Sequence, residues 1–102
     1  MTVKELLIAA RARITDPATW TRKTLARDAT GYPCRAHSDE AVAWCALGSL
    51  HIPDTDVKDQ MNAYDRLKIV ADGMGGGVVY VNDVLGHDTV LQMFDLAIEK
   101  AT

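Results

Sequence analysis

Apolar positions recur every three to four residues at the start of the chain. Val3, Leu6, Leu7, Ala10 and Ile14 form one stripe, and Lys4, Arg11 and Arg13 fall outside it. Thr2 and Glu5 have the spacing of a capping box, and Asp16-Pro17 stops the run because a residue before proline is pushed out of the α region. This pattern predicts a first helix from Thr2 to Ile14. The period is lost over residues 18–37. There Lys23 to Arg27, then Asp28-Ala29-Thr30-Gly31, then Tyr32 to Ala36 read as a short hairpin with glycine at the left-handed turn position. Pro33 has no amide proton for a ladder, so its strand belongs at an edge. Trp20, a large apolar residue just before the hairpin, is expected to anchor this loop to the helices.

The central stretch, Ser38 to Leu50, carries no charge after Glu40. On a helical wheel Val42, Trp44, Cys45, Leu47 and Leu50 point nearly all round, which predicts a buried helix capped by Ser38. Ala41, Cys45 and Gly48 leave a strip of small residues where a neighbouring backbone could approach. A third helix is predicted from about Asp54 to Asp72, with Val57, Met61, Tyr64, Leu67 and Ala71 on one face and Met61 filling the core. Gly73-Met74-Gly75-Gly76-Gly77 then reads as a connector. It follows a helix and lacks the lysine of a phosphate-binding loop. The β-branched run Val78 to Val81 is expected to be extended, either as a third short strand or laid against the helices. Asn82-Asp83 are turn and cap residues, and Gly86 breaks the chain again. A last helix starts near Asp88, where Thr89 and Gln92 have capping-box spacing, with Val90, Phe94, Ala97 and Ala101 on its apolar face. The fold expected is mainly α (α+β): about four helices in a bundle, with a β-hairpin or three-stranded element between helices 1 and 2. Residues 1–102 are read as one domain.

Composition is ordinary for a globular protein, with 48% hydrophobic and 25% charged residues. The net charge of −3 argues against a dedicated nucleic-acid binder. The distribution is uneven, with seven basic against three acidic residues in 1–36 (+4) and four against eleven in the remainder (−7). The two halves either complement one another across the fold or leave a basic surface for a polyanion. No run approaches the roughly 20 apolar residues of a membrane span, and Leu6 to Ala10 is too short for a secretion signal. Cys34 and Cys45 are therefore expected as reduced thiols in a cytoplasm.

Three constellations could carry chemistry. Cys34, His37, Cys45 and His51 have the spacing C-x2-H-x7-C-x5-H, but structural zinc sites draw on paired short spacings. Cys45 as a nucleophile would need a base beside it, and a cysteine in an apolar run is usually a small buried hydrophobe. Asn82, Asp83, His87 and Asp88 form the densest polar cluster, read either as an acid–base or ligand site or as caps of the turn and last helix.

The runs Trp20, Ala26 to Gly31, Ala41 to Leu50, Val81-Asn82-Asp83 and Phe94 to Ile98 resemble a family of small uncharacterised bacterial and phage proteins. A Trp-Cys-Ala-x-Gly helix and the later Asn-Asp pair are its most specific marks. The resemblance covers about residues 18–100 and implies no activity. The candidate functional residues are Trp20, Trp44, Cys45, Asn82, Asp83 and His87, with no catalytic set, cofactor or metal expected. The expected function is that of a non-catalytic binding or regulatory module, phage- or prophage-associated, whose partner is another protein. Neither nucleic acid nor membrane is an expected partner, and the oligomeric state stays open. The alternatives are a small enzyme or ligand-binding protein using Asn82–Asp88, and a weak polyanion binder using the basic first third.

Overall fold

Thr2 opens helix α1 (Val3–Arg13) as the spacing predicts: its hydroxyl accepts from the Glu5 amide while the Glu5 carboxylate accepts from the Thr2 amide. The structure is a computed structural model and describes residues 1–101. After a single 3-10 turn (Pro17–Thr19) come three short strands: β1 (Ala26–Asp28), β2 (Pro33–Cys34) and β3 (Ala41–Trp44). They form an antiparallel sheet in the order β2-β1-β3. Pro33 lies in an edge strand, and Gly31 turns the hairpin at φ 88°. That is the left-handed region glycine enters without a steric cost. The sheet lies in sequence between α1 and a short second helix, α2 (Ala46–Ser49). Then follow α3 (Val57–Asp72), a short α4 (Val78–Tyr80) that runs into a π turn (Val81–Leu85), and α5 (His87–Lys100). Among the described residues the fold is a mainly helical α+β arrangement of five helices and one small sheet.

The core sits where α1, α3 and α5 meet. Leu6, Leu7 and Ile14 pack there with Ala63, Leu67, Val90, Met93 and Phe94, all fully buried. Each large side chain among them contributes about 1.5–3 kcal/mol by leaving water.

Four readings are corrected by the structure. The stretch from Ser38 is not one helix. Ser38 Oγ accepts from the Glu40 amide in a local turn, Ala41–Trp44 is strand β3, and only Ala46–Ser49 is helical. Ala43 and Cys45 turn inward while Val42 faces solvent, a period of two that an all-apolar run conceals. The strand forms because β1 has a second edge to satisfy, and Ala43 and Trp44 pair with Arg27 and Ala26. Val78 to Val81 is helical, not extended, because its backbone closes local turns such as Val81 N–H to the Gly77 carbonyl. Met61 is not core: it is 62% exposed, and the buried face of α3 is Ala63, Leu67, Val70 and Ala71. Finally, α5 begins at His87 behind Gly86 with no side-chain cap, so Thr89 and Gln92 form no capping box.

Candidate functional site

The six candidate residues gather where the loop after the 3-10 turn meets the β3–α2 junction and the π turn. Asn82 ties these segments together. It is 2% exposed, and its Oδ1 accepts from Trp20 Nε1 at 2.8 Å and from the Ala46 amide at 2.9 Å. Its Nδ2 donates to the Thr21 carbonyl at 3.1 Å and to Asp83 Oδ1 at 2.9 Å. An amide side chain offers two donors and two acceptor lone pairs, so every polar position of Asn82 is used inside the protein. Asp83 extends the tie: its Oδ1 also accepts from the Lys23 amide at 2.9 Å and pins Lys23 at φ 70°, unusual for a residue with a β-carbon. The Asn-Asp pair therefore caps neither a turn nor α5. It clasps a loop some 60 residues earlier in the chain.

Trp20 is flanked on its ring by His87, with centroids 5.1 Å apart, and by the Arg22 guanidinium at 5.0 Å. His87 is fixed by a 2.7 Å hydrogen bond between Nε2 and the Ile14 carbonyl. Trp44 donates to the Ala36 carbonyl and carries the Arg13 guanidinium 4.1 Å from its ring centre. The backbones of the two tryptophans are joined, since the Thr21 amide donates to the Trp44 carbonyl. Trp20 does anchor its loop, as expected.

Cys45 caps the short helix α2, its sulfur accepting from the Gly48 amide at 3.3 Å. Burial, above all, pushes this thiol up from the ordinary range, which holds it as the poorly nucleophilic neutral form. The strip of small residues has a physical purpose at Gly48. A β-carbon there would fall onto the Leu25 carbonyl oxygen, so only glycine lets the two backbones meet. That same carbonyl accepts from the Cys45 amide. Among the described residues no group of three or more His, Cys, Asp or Glu is placed to hold a metal ion. The Cys34, His37, Cys45 and His51 spacing is thus not assembled into a ligand set.

A cavity of about 220 Å³ opens beside the clasp, lined by Lys23, Leu25, Cys45, Leu47, Val78 and Val79 with Asn82 and Asp83. His87 does not reach it. A second hollow of about 270 Å³ shares Leu25 and Leu47 with the first, so the two adjoin across these side chains as an interrupted groove. The far wall of the second is Val57, Gln60, Met61 and Tyr64 of α3. Of these lining residues only Cys45, Asn82 and Asp83 stood out in the sequence as candidates. The α3 stripe was visible, but as core. Nothing local marks Lys23 or Leu25, whose roles depend on contacts distant in sequence.

Of the seven basic residues in the first third, Arg11, Arg13 and Arg27 are half-buried, while Lys4, Arg22, Lys23 and Arg35 are exposed. Arg11 pairs with Asp95, and Arg27 bonds Thr21 Oγ1 and the carbonyls of Gly31 and Arg22. Arg13 and Arg22 lie over the tryptophans. Among the described residues, no helix is long and apolar enough to cross a membrane. No curated protein and no solved structure matches the chain. Over residues 1–100, however, it is matched by a family of unknown function, DUF6197, and the chain belongs to that family.

Proposed function

We propose that the protein is a non-catalytic binding module that receives an apolar segment of another protein in the groove over Leu25 and Leu47. One observation carries this reading. The apolar stripe of α3 continues outward from the buried Leu67 and Ala71 through Tyr64 and Met61 to Val57, which is 69% exposed, and the fold leaves that outer half uncovered along the groove. An uncovered apolar surface beside a concave floor is the usual signature of an interaction site. The polar candidates support binding over catalysis. Asn82 has no unused donor or acceptor, the Cys45 thiol is held neutral, and His87 is bonded to a carbonyl away from the cavity.

The test uses the neutral apolar dye N-phenyl-1-naphthylamine. Its fluorescence should rise saturably with the native protein, and Leu25→Asp and Met61→Asp should each abolish the rise. Both side chains are substantially exposed, so both variants should melt close to the native temperature. Dye binding that is missing, or that survives both substitutions, refutes the groove as a binding surface.

A further inference from the structure

We infer that the partner segment received by this groove carries an acidic side chain beside its apolar anchor, so that a carboxylate meets Arg13 at the His51 end of the second hollow; this rests on the binding-module reading above. The lining of the hollow calls for the apolar anchor, and an unpaired cation at its edge calls for the acid.

The second hollow is apolar over Leu25, Leu47, Leu50, Val57 and Met61, but His51 also lines it. The half-buried Arg13 guanidinium donates through Nη1 to the His51 carbonyl at 3.2 Å and lies over the Trp44 ring, 4.1 Å from its centre. These two contacts hold the planar group in place. Among the described residues, its other N–H groups make no hydrogen bond, and the ion pairs are Arg11–Asp95 and Lys68–Asp72, so Arg13 has no counter-ion. Burial holds its pKa below the usual arginine value, the mark of a cation that has lost water without gaining a partner. His51 is held low by burial, then by the charges of His37 and Arg13, and no carboxylate enters that balance. The corner is therefore cationic although the whole chain carries −3.

The chain's own carboxylates do not fill this place. Asp54 and Asp56 precede α3, where Asp56 Oδ1 accepts from the Lys58 amide as the helix cap, and neither is within ion-pair distance of Arg13. Asp83 lines the first hollow and is bonded to the Lys23 amide and Asn82 Nδ2. An acidic side chain brought in by a partner would offer Arg13 two acceptor oxygens in the plane of its fork, a charge-assisted contact stronger than a neutral one. A basic side chain at the same place would meet Arg13 and His51 as a like charge. This recognition asks nothing of the segment's backbone conformation, only that acid and apolar anchor lie side by side.

Two dyes isolate the charge. The sulfonate 8-anilinonaphthalene-1-sulfonate adds one anionic group to the skeleton of the neutral N-phenyl-1-naphthylamine. Native protein should bind the sulfonate about tenfold more tightly than the neutral dye at low salt, and the gap should narrow as salt rises to about 0.5 M. Arg13→Gln should close the gap to within about twofold, whereas Lys4→Gln, which removes an exposed cation at the start of α1, should leave it open. The measurements on native protein stand even if Arg13→Gln lowers stability. Labelled peptides then test the source: with one leucine-rich core and flanks of glutamate, glutamine or lysine, anisotropy should rank glutamate about tenfold above glutamine and lysine last. Equal affinity for the two dyes, a gap that survives Arg13→Gln, or one that Lys4→Gln also closes overturns this inference while the groove reading stands. Absence of neutral-dye binding removes the groove itself. Equal binding of the three peptides overturns the acidic requirement. Binding of decanoate with no peptide binding would put a free apolar carboxylate in the hollow and overturn its assignment to a protein segment.

Discussion

Replacing Asn82 by alanine deletes four hydrogen bonds through one side chain, and the structure sets what each is worth. The Ala46 amide is buried, and without Oδ1 it has no acceptor within reach, a loss of about 1–3 kcal/mol. The partners Trp20 Nε1, the Thr21 carbonyl and Asp83 Oδ1 are half-buried, so water recovers part of each bond and the net loss is about 0.5–1.5 kcal/mol apiece. The sum centres on about 5 kcal/mol, a large part of the roughly 5–15 kcal/mol that holds such a chain folded. Urea denaturation followed by tryptophan fluorescence should show the midpoint falling by about 2 M or more with little change in slope. A double-mutant cycle sharpens the test. Trp20→Phe removes the Nε1 donor and keeps an aromatic ring, so it should cost less in the Asn82→Ala background, with coupling of about 1 kcal/mol. If Asn82→Ala cost under about 1 kcal/mol, or if the two substitutions were additive, the clasp would not be what holds these segments together.

Three further outcomes are expected. Gly48→Ala should abolish folding or cost more than about 3 kcal/mol in chemical denaturation, because the new β-carbon meets the Leu25 carbonyl. Gly77→Ala, which meets nothing, should stay within about 1 kcal/mol; similar costs for the two would contradict the close approach. Native Cys45 should react slowly with iodoacetamide at neutral pH. Cys45→Ala should cost about 1 kcal/mol by removing a weak cap, while Trp44→Ala costs about 3 kcal/mol; rapid alkylation of the folded protein would mean that the thiol is not held neutral. Burial, then the charges of His37 and Arg13, hold His51 below the usual histidine range. The unfolded chain therefore takes up this proton at a higher pH than the folded protein, and stability should fall as pH drops from about 7 through the ordinary value near 6.5 toward the lower folded value. His51→Gln should flatten the dependence of melting temperature on pH in that window. The carboxylates of Glu5 and Asp28, held low chiefly by bonds from Thr2 and Thr30, lose their contribution only at more acid pH. An unchanged slope in the variant would rule His51 out as its source.

What the sequence determined by itself is what short-range physics controls. The capping box of Thr2 and Glu5, the stop at Asp16-Pro17, the apolar stripe of α1, the Gly31 hairpin and the edge position of Pro33 all follow from contacts within a few residues. The α+β class follows too, because three strong helical periods and one hairpin leave few alternatives. Tertiary structure decided the rest, wherever a residue's neighbour lies far along the chain. Ala41 to Trp44 is a strand because β1 needed a second partner, and an apolar run with no polar face offers no period to read. Val57 and Met61 share a helical face with Leu67, yet only the packing of α1 and α5 against the C-terminal half of α3 determines where along that face the core stops. The same holds for the candidate site. Asn82 and Asp83 were visible as an unusual pair, but their partners are Trp20, Thr21 and Lys23 near one end of the chain and Ala46 at its middle. Side-chain amides and carboxylates read locally as caps and turns. Only the fold brought these two within hydrogen-bonding distance of a loop 60 residues away, and only that closure shaped the groove beside them.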